Sequence, residues 1–199
     1  MKYGAIAGGE KSTVQAAFNI MENGGNAFDA AVGAVFTSMV SEYCLTGPGG
    51  GGAFLASPVN AEPILFDFFV DTPHPQPEKE LDFFSIIVDF GPSQQQFHIG
   101  QGSVAIPGNI AGLLKVHQRL GQIPLKAVLE PAVNAARDGI VLNSSQGYLI
   151  KILEPILTHS NGGKVLFSPN GKLLKKDDRF KNPRFADLLE ILVAEGHMY

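Results

Sequence analysis

An α+β fold is predicted for this 199-residue chain by three observations. Short runs rich in Phe, Ile and Val, bounded by Gly and Pro, gather before residue 108 and have strand character. One apolar helix precedes them, and from Asn109 onward the pattern becomes helical, with stretches closing on Gly121, Gly139 and Gly196. Strands first and helices after, without regular βαβ alternation, describe α+β: sheet-rich over 1–108, helix-rich over 109–199.

The elements follow in order. Gly4–Ala7 is expected as a first strand, turning at Gly8-Gly9 into a helix that Ser12 or Thr13 begins and Gly24-Gly25 end. Asn26 caps the next helix, and Asp29 sits in its first turn, where the helix dipole favours a carboxylate. Ala27, Ala30, Ala31, Ala34, Val35 and Ser38 give that helix a small face; Phe28, Val32, Phe36, Met39 and Val40 surround it with bulk. Such a helix is buried, and its small face suits close approach to a sheet.

Ala53–Ala56, Ile64–Val70, Ile86–Phe90 and Ser103–Ile106 are expected strands of one sheet, with Pro73 to Pro77 an extended connector and Gly91–Gly102 a mobile loop. Asn109–Leu120 closes on Gly121, Pro131 opens a helix ending at Gly139, and Ser144–Leu157 follows an Asn143 cap. Asn161-Gly162-Gly163 and Pro169-Asn170-Gly171 flank Lys164–Ser168 as a small hairpin. Asn182 caps a last helix with Pro183 at its first position and Gly196 beyond its end.

Composition narrows the chemistry. The chain is 45% hydrophobic and 17% charged, an ordinary globular balance, and its net charge of -4 argues against nucleic acid or anionic membrane as partner. The basic run Lys172–Lys176 is expected as a solvated turn. A single cysteine, Cys44, excludes an internal disulfide and a thiolate metal site of its own. The start lacks the apolar length of a secretory signal and no run of about 18 apolar residues occurs, so no membrane span and a cytoplasmic location are expected.

Two phosphate motifs nearly form. Gly47, Gly49 and Gly52 fit G-x-G-x-x-G with Asp71 downstream, but this loop leaves a helix and enters a strand, the reverse of a dinucleotide loop, and Pro48 removes a donor. Gly4 to Gly9 fits G-x-x-x-x-G, but Glu10 intervenes before Lys11-Ser12 and would repel phosphate. His74, His98, His117, His159 and His197 are scattered, and Ser41, Glu42, His117 and Asp138 lie in no nucleophile elbow, so neither metal, cofactor nor Ser-His-Asp triad is expected.

Gln15-Ala16 through Gly24-Gly25-Asn26-Ala27-Phe28-Asp29-Ala30-Ala31-Val32, then Gly49–Phe54, then Gly102–Gly108 with Ala111-Gly112-Leu113, resemble the gamma-glutamyltranspeptidase family. Leu129–Val133 with Ala136–Gly139, and Asn182-Pro183 with Ala186, Leu189 and Glu195-Gly196, extend the resemblance over nearly the whole chain.

That resemblance implies an N-terminal nucleophile hydrolase with stacked αββα layers, cleaved from one precursor into a large and a small subunit. Cutting before a threonine frees an α-amino group of near-neutral pKa to serve as base for the adjacent hydroxyl. The threonines here are Thr13, Thr37, Thr46, Thr72 and Thr158, none followed by a second threonine as in the family's cleavage motif. On this resemblance residues 1–199 are expected to be the N-terminal portion of a large subunit, inactive alone, with no catalytic residue assigned and the small subunit elsewhere in its precursor. Self-association into a homo-oligomer stays open.

The implied activity is that of an amidohydrolase or acyltransferase on glutathione-like γ-glutamyl donors; the alternative is a non-catalytic fragment or pseudoenzyme serving as a binding or assembly module. One departure bears on the substrate. Family members that bind a glutamyl donor carry Asp-Phe-Arg-Glu-x-x-Pro, whose arginine clamps the donor's α-carboxylate; here the run is Asp67-Phe68-Phe69-Val70-Asp71-Thr72-Pro73. Phe69 takes the arginine's place, and a phenyl ring offers a carboxylate no hydrogen bond. Equally, Phe66, Phe68 and Phe69 suit covering a sheet.

Overall fold

A computed structural model describes residues 4–74 and 81–195. Its elements, in chain order, are α1 (Lys11–Glu22), α2 (Ala27–Ser41), β1 (Gly52–Ala56), β2 (Ile64–Phe68), β3 (Phe84–Asp89), β4 (Gln94–Ile99), α3 (Asn109–Leu120) and α4 (Leu125–Asp138). There follow β5 (Ile140–Val141), α5 (Ser144–Ile152), α6 (Glu154–Leu157), α7 (Asn161–Phe167), β6 (Arg179–Phe180) and α8 (Pro183–Glu195). The α+β class and the helical second half are as the sequence predicts.

The chain divides into two compact units: Met1–Val70, Pro107–Ile140 and Lys181–Tyr199 in one, Asp71–Ile106 and Val141–Phe180 in the other. In the first, α2 is the centre: Val32, Phe36 and Val40 have no solvent exposure, and α1, α3 and α4 pack around it. Its small face meets helices, a correction to the sheet expected there. A Cβ on Gly33 would stand 2.7 Å from the Val128 carbonyl of α4. Only glycine permits that approach.

Asn26 and Asp29 form a reciprocal capping box at the start of α2. At α1 the cap is Glu10, whose Oε2 accepts from the Ser12 N–H at 2.6 Å, so the helix starts one residue before the expected Ser12. Gly4–Ala7 forms no strand: no ladder partner lies beside it among the described residues, and Ile6 instead packs on the α1–α2 core. α3 ends on Gly121, and α8 is capped by Asn182, whose side chain accepts from the Phe185 N–H at 3.2 Å. Gly196 lies outside the described residues, as does most of Pro73–Pro77.

Among the described residues the expected single sheet is replaced by three two-stranded ladders, β1–β2, β3–β4 and β5–β6. In the first unit β1 and β2 are antiparallel with Gly52 opposite Phe68 and Leu55 opposite Leu65. In the second, the stretch expected as a mobile Gln-rich loop is strand β4, pairing Asp89 with Gln94 and Phe84 with Ile99. Composition misled there: Gly91, at φ 91°, forms the turn itself, with its N–H bonded to Asp89, while the glutamines continue the strand. Ser103–Ile106 contributes one isolated bridge, Ile106 to Asp71, after a 3-10 turn over Gln101–Ser103.

Three helix boundaries also differ. Pro131 lies inside α4, which begins after Pro124. Ser144–Leu157 breaks at Leu153, because Pro155 suits the first turn of a new helix and not the interior of an old one. Lys164–Phe167 is helical and Ser168 its C-cap, not a hairpin: Ser160 accepts from the Gly163 N–H at 3.0 Å and starts α7 across the glycines. The second unit's core holds Val88, Leu142, Ile150 and Phe180, with Phe167 stacked on Phe180 at 5.4 Å. The Lys172–Lys176 run is exposed at its lysines, as expected, and is anchored by buried Leu174.

Candidate functional site

The segment from Gly47 to Phe69 was the sequence's richest in functional signal, and its seat is built in the first unit. Gly47–Gly51 leaves α2 and enters β1, the helix-to-strand order expected. The Gly50 carbonyl accepts from the backbone N–H of Gly108 and of Asn109, both at 3.0 Å, and Asn109 Nδ2 donates to the Gly47 carbonyl at 2.8 Å. Two of the donors at the start of α3, the N–H groups of Gly108 and Asn109, are thus taken by the glycine loop itself.

Glycines also admit the hairpin. A Cβ on Gly51 would lie 2.7 Å from the Phe68 carbonyl oxygen, and one on Gly108 or Gly112 would collide with the Phe68 backbone or ring. Phe68 therefore lies flush on α3. Phe66 packs edge-on against Phe54 at 6.3 Å and carries the Arg119 guanidinium 5.8 Å above its ring.

Phe69 behaves differently from its neighbours. It is 71% exposed, with its N–H donating to Asp67 Oδ1 at 3.1 Å. Of the three phenylalanines weighed as sheet cover, Phe66 and Phe68 serve that purpose and Phe69 does not. The outward positions beside it in the hairpin, Leu55 and Leu65, are exposed too, and Asp67 is the one charge among them.

Of the residues that could be drawn into a triad, Ser41 and Glu42 belong to one network and His117 to another. Ser41 bonds the Thr37 carbonyl and the Thr13 hydroxyl, which in turn donates to Glu42 Oε1 at 2.8 Å. His117 Nε2 lies 2.9 Å from the Ile123 carbonyl and 3.6 Å from Asp29. His98 stacks on Phe83, His159 leans on Phe84, and His197 lies outside the described residues. Thr37 and Thr158 back-bond to carbonyls of their own helices. Burial pushes the Cys44 thiol up to about 11 and the neighbouring Tyr43 hydroxyl up as well. Among the described residues no three of His, Cys, Asp or Glu gather as a metal site would require, and no helix is long and apolar enough to cross a membrane.

The sequence missed one network. Asp29, wholly buried, accepts the Gln122 N–H on both carboxylate oxygens at 3.1 and 3.0 Å, clamping the α3–α4 turn onto α2. Asp29 advertised its capping role locally; a partner 93 residues away leaves no local signal.

Comparison with known proteins places these features in context. A family model described as Gamma-glutamyltranspeptidase matches residues 13–199. The glutathione hydrolase proenzyme 2 of Schizosaccharomyces pombe is 28% identical over 194 residues, covering 97% of this chain and 30% of that protein. Acylase ACY 1 proenzyme of Pseudomonas sp. (strain SE83) is 28% identical over 179 residues, covering 89% of this chain and 32% of that protein. Among solved structures, the Helicobacter pylori gamma-glutamyltranspeptidase superposes with a TM-score of 0.81 at 22% identity, covering 98% of this chain and 55% of that one. The chain spans about a third of the length of the curated relatives it matches.

Proposed function

The chain belongs to the gamma-glutamyltranspeptidase family, and from that premise we propose that residues 1–199 are the N-terminal portion of the large subunit of an amidohydrolase or acyltransferase acting on γ-glutamyl or related amide bonds. The observation that carries the proposal is the match over residues 13–199, running through the glycine loop and its seat on α3. Its partners are then the remainder of its own precursor, including the small subunit, and a small-molecule amide substrate.

In this reading the chain supplies scaffold and part of the donor pocket. In this proposal the nucleophile lies in the remainder of the precursor, since none of Thr13, Thr37, Thr46, Thr72 and Thr158 is followed by a second threonine. Its chemistry is that of a freed N-terminal residue whose α-amino group takes the hydroxyl proton as the acyl-enzyme forms and returns it to the leaving amine. The test is covalent trapping with an electrophilic glutamine analogue: the 199-residue chain alone stays unlabelled. Labelling of any residue in it would overturn this division of roles.

A second reading concerns the donor and is favoured by Phe69. With a phenyl ring exposed where glutamyl-binding relatives have arginine, and with Leu55 and Leu65 exposed on the same hairpin, an apolar acyl donor is better served than an α-amino acid. One relative of the chain is called an acylase. Comparing hydrolysis of a γ-glutamyl anilide with that of an uncharged acyl anilide by the complete protein separates the two readings.

A further inference from the structure

In the first unit a cleft of about 670 Å³ runs between α1 and α4, away from the glycine loop. Its α1 wall is a stripe at four-residue intervals: Lys11, Gln15, Asn19 and Asn23. On a helix such residues stand about 6 Å apart along one face. The peptide groups of an extended chain that point the same way repeat every ~6.6–6.8 Å, so the stripe nearly keeps step with a peptide backbone over about five residues.

The carboxamides suit that backbone chemically. Gln15 donates to Asn19 Oδ1 at 2.8 Å and Asn23 donates to the Asn19 carbonyl at 2.9 Å, which orders the stripe while leaving the Gln15 side-chain oxygen and the Asn19 side-chain nitrogen for an acceptor and a donor of a ligand. The facing wall adds Asn134 and the Ala127 segment. Pro131 has no N–H, so the Ala127 carbonyl lacks its usual donor one turn on.

The charges narrow the ligand further. Lys11 and Glu130 line the cleft, and neither forms an ion pair among the described residues. One cation and one anion complement the carboxylate and ammonium of a free peptide; the interior of a longer chain carries neither group.

We infer that this cleft binds a short, extended, zwitterionic peptide, read through its main chain by the carboxamide stripe and through its termini by Lys11 and Glu130. The site is separate from the proposed donor pocket and does not depend on it.

The experiment titrates the complete protein that contains residues 1–199 with free penta-alanine and follows the amide chemical shifts of α1 and α4. Saturable shifts confined to α1 and α4 are expected, with a Kd on the order of 0.1–1 mM. Asn19→Ala and Asn134→Ala should each weaken binding about five-fold while leaving the unaffected resonances in place, which shows the fold intact. N-acetylated, C-amidated penta-alanine should bind more weakly at low salt. No saturation by roughly 10 mM, equal binding by both variants, or equal binding of the capped peptide would overturn the inference.

Discussion

A Cβ built on Gly51 would stand 2.5 Å from the backbone nitrogen of Val70. That closeness fixes how the β1–β2 hairpin lies on the glycine loop, and it leaves no room for a side chain.

Gly51→Val should therefore destabilise the protein by about 1–3 kcal/mol, a fall of roughly 3–10 °C in Tm for a chain of this size. Thermal unfolding followed by circular dichroism checks it. A Tm within a degree of the parent would show that the hairpin yields easily.

ATP and NAD should leave the parent Tm unchanged, because the Gly50 carbonyl occupies the N–H groups of Gly108 and Asn109 and the loop runs from helix to strand. A saturable rise in Tm with either nucleotide would mean that the loop opens to hold phosphate.

Asp29→Asn should cost about 2–4 kcal/mol in urea unfolding, because a buried carboxylate that accepts the N–H groups of Asn26 and Gln122 is replaced by an amide with one accepting oxygen. A loss below about 0.5 kcal/mol would mean that the α3–α4 turn is held by other contacts.

Cys44 gives a pH dependence. Burial raises its thiol from the ordinary 9.0 to about 11, so at pH 8 the folded chain carries about 100-fold less thiolate than the unfolded chain. Iodoacetamide should modify native protein correspondingly slowly, with the rate climbing as pH approaches 11. The raised value favours folding below the unfolded pKa, and that contribution fades as pH rises from about 9 to about 11. Native and urea-unfolded protein reacting equally fast at pH 8 would contradict the burial.

How much was legible depended on whether the signal was local. Caps at Asn26, Asn143 and Asn182 were plain because the capping side chain and the N–H groups it serves lie within a few residues. The family motifs located the glycine loop, and the absent arginine singled out Phe69. Pairing was hidden: Gln94–Gln96 looks like loop by composition and becomes strand only through its partner Ile87–Asp89. The α2 small face announced close approach without saying that Val128 of a helix would supply it. Pro131 shows the converse, a strong local breaker overridden by the packing of Val128, Leu129 and Ala132 around it.

Phe69→Arg in the complete protein should raise use of γ-glutamyl donors. Loss of a bidentate charge-assisted pair at a partly buried site costs roughly 2–5 kcal/mol of donor binding, or about 30-fold to several thousand-fold, and the substitution should restore part of it. Steady-state kinetics on a γ-glutamyl anilide decides: a low-micromolar donor KM in the unmodified enzyme would mean that another cation serves as the clamp.

The central claim is that this chain is the N-terminal part of a self-cleaving γ-glutamyltranspeptidase-like enzyme. Intact-mass analysis of the polypeptide expressed from the whole reading frame that contains residues 1–199 tests it most directly. The account predicts two chains, the smaller beginning with a threonine and alone labelled by an electrophilic glutamine analogue. A single uncleaved chain without label, or a frame that stops at Tyr199, would contradict it and leave a non-catalytic module.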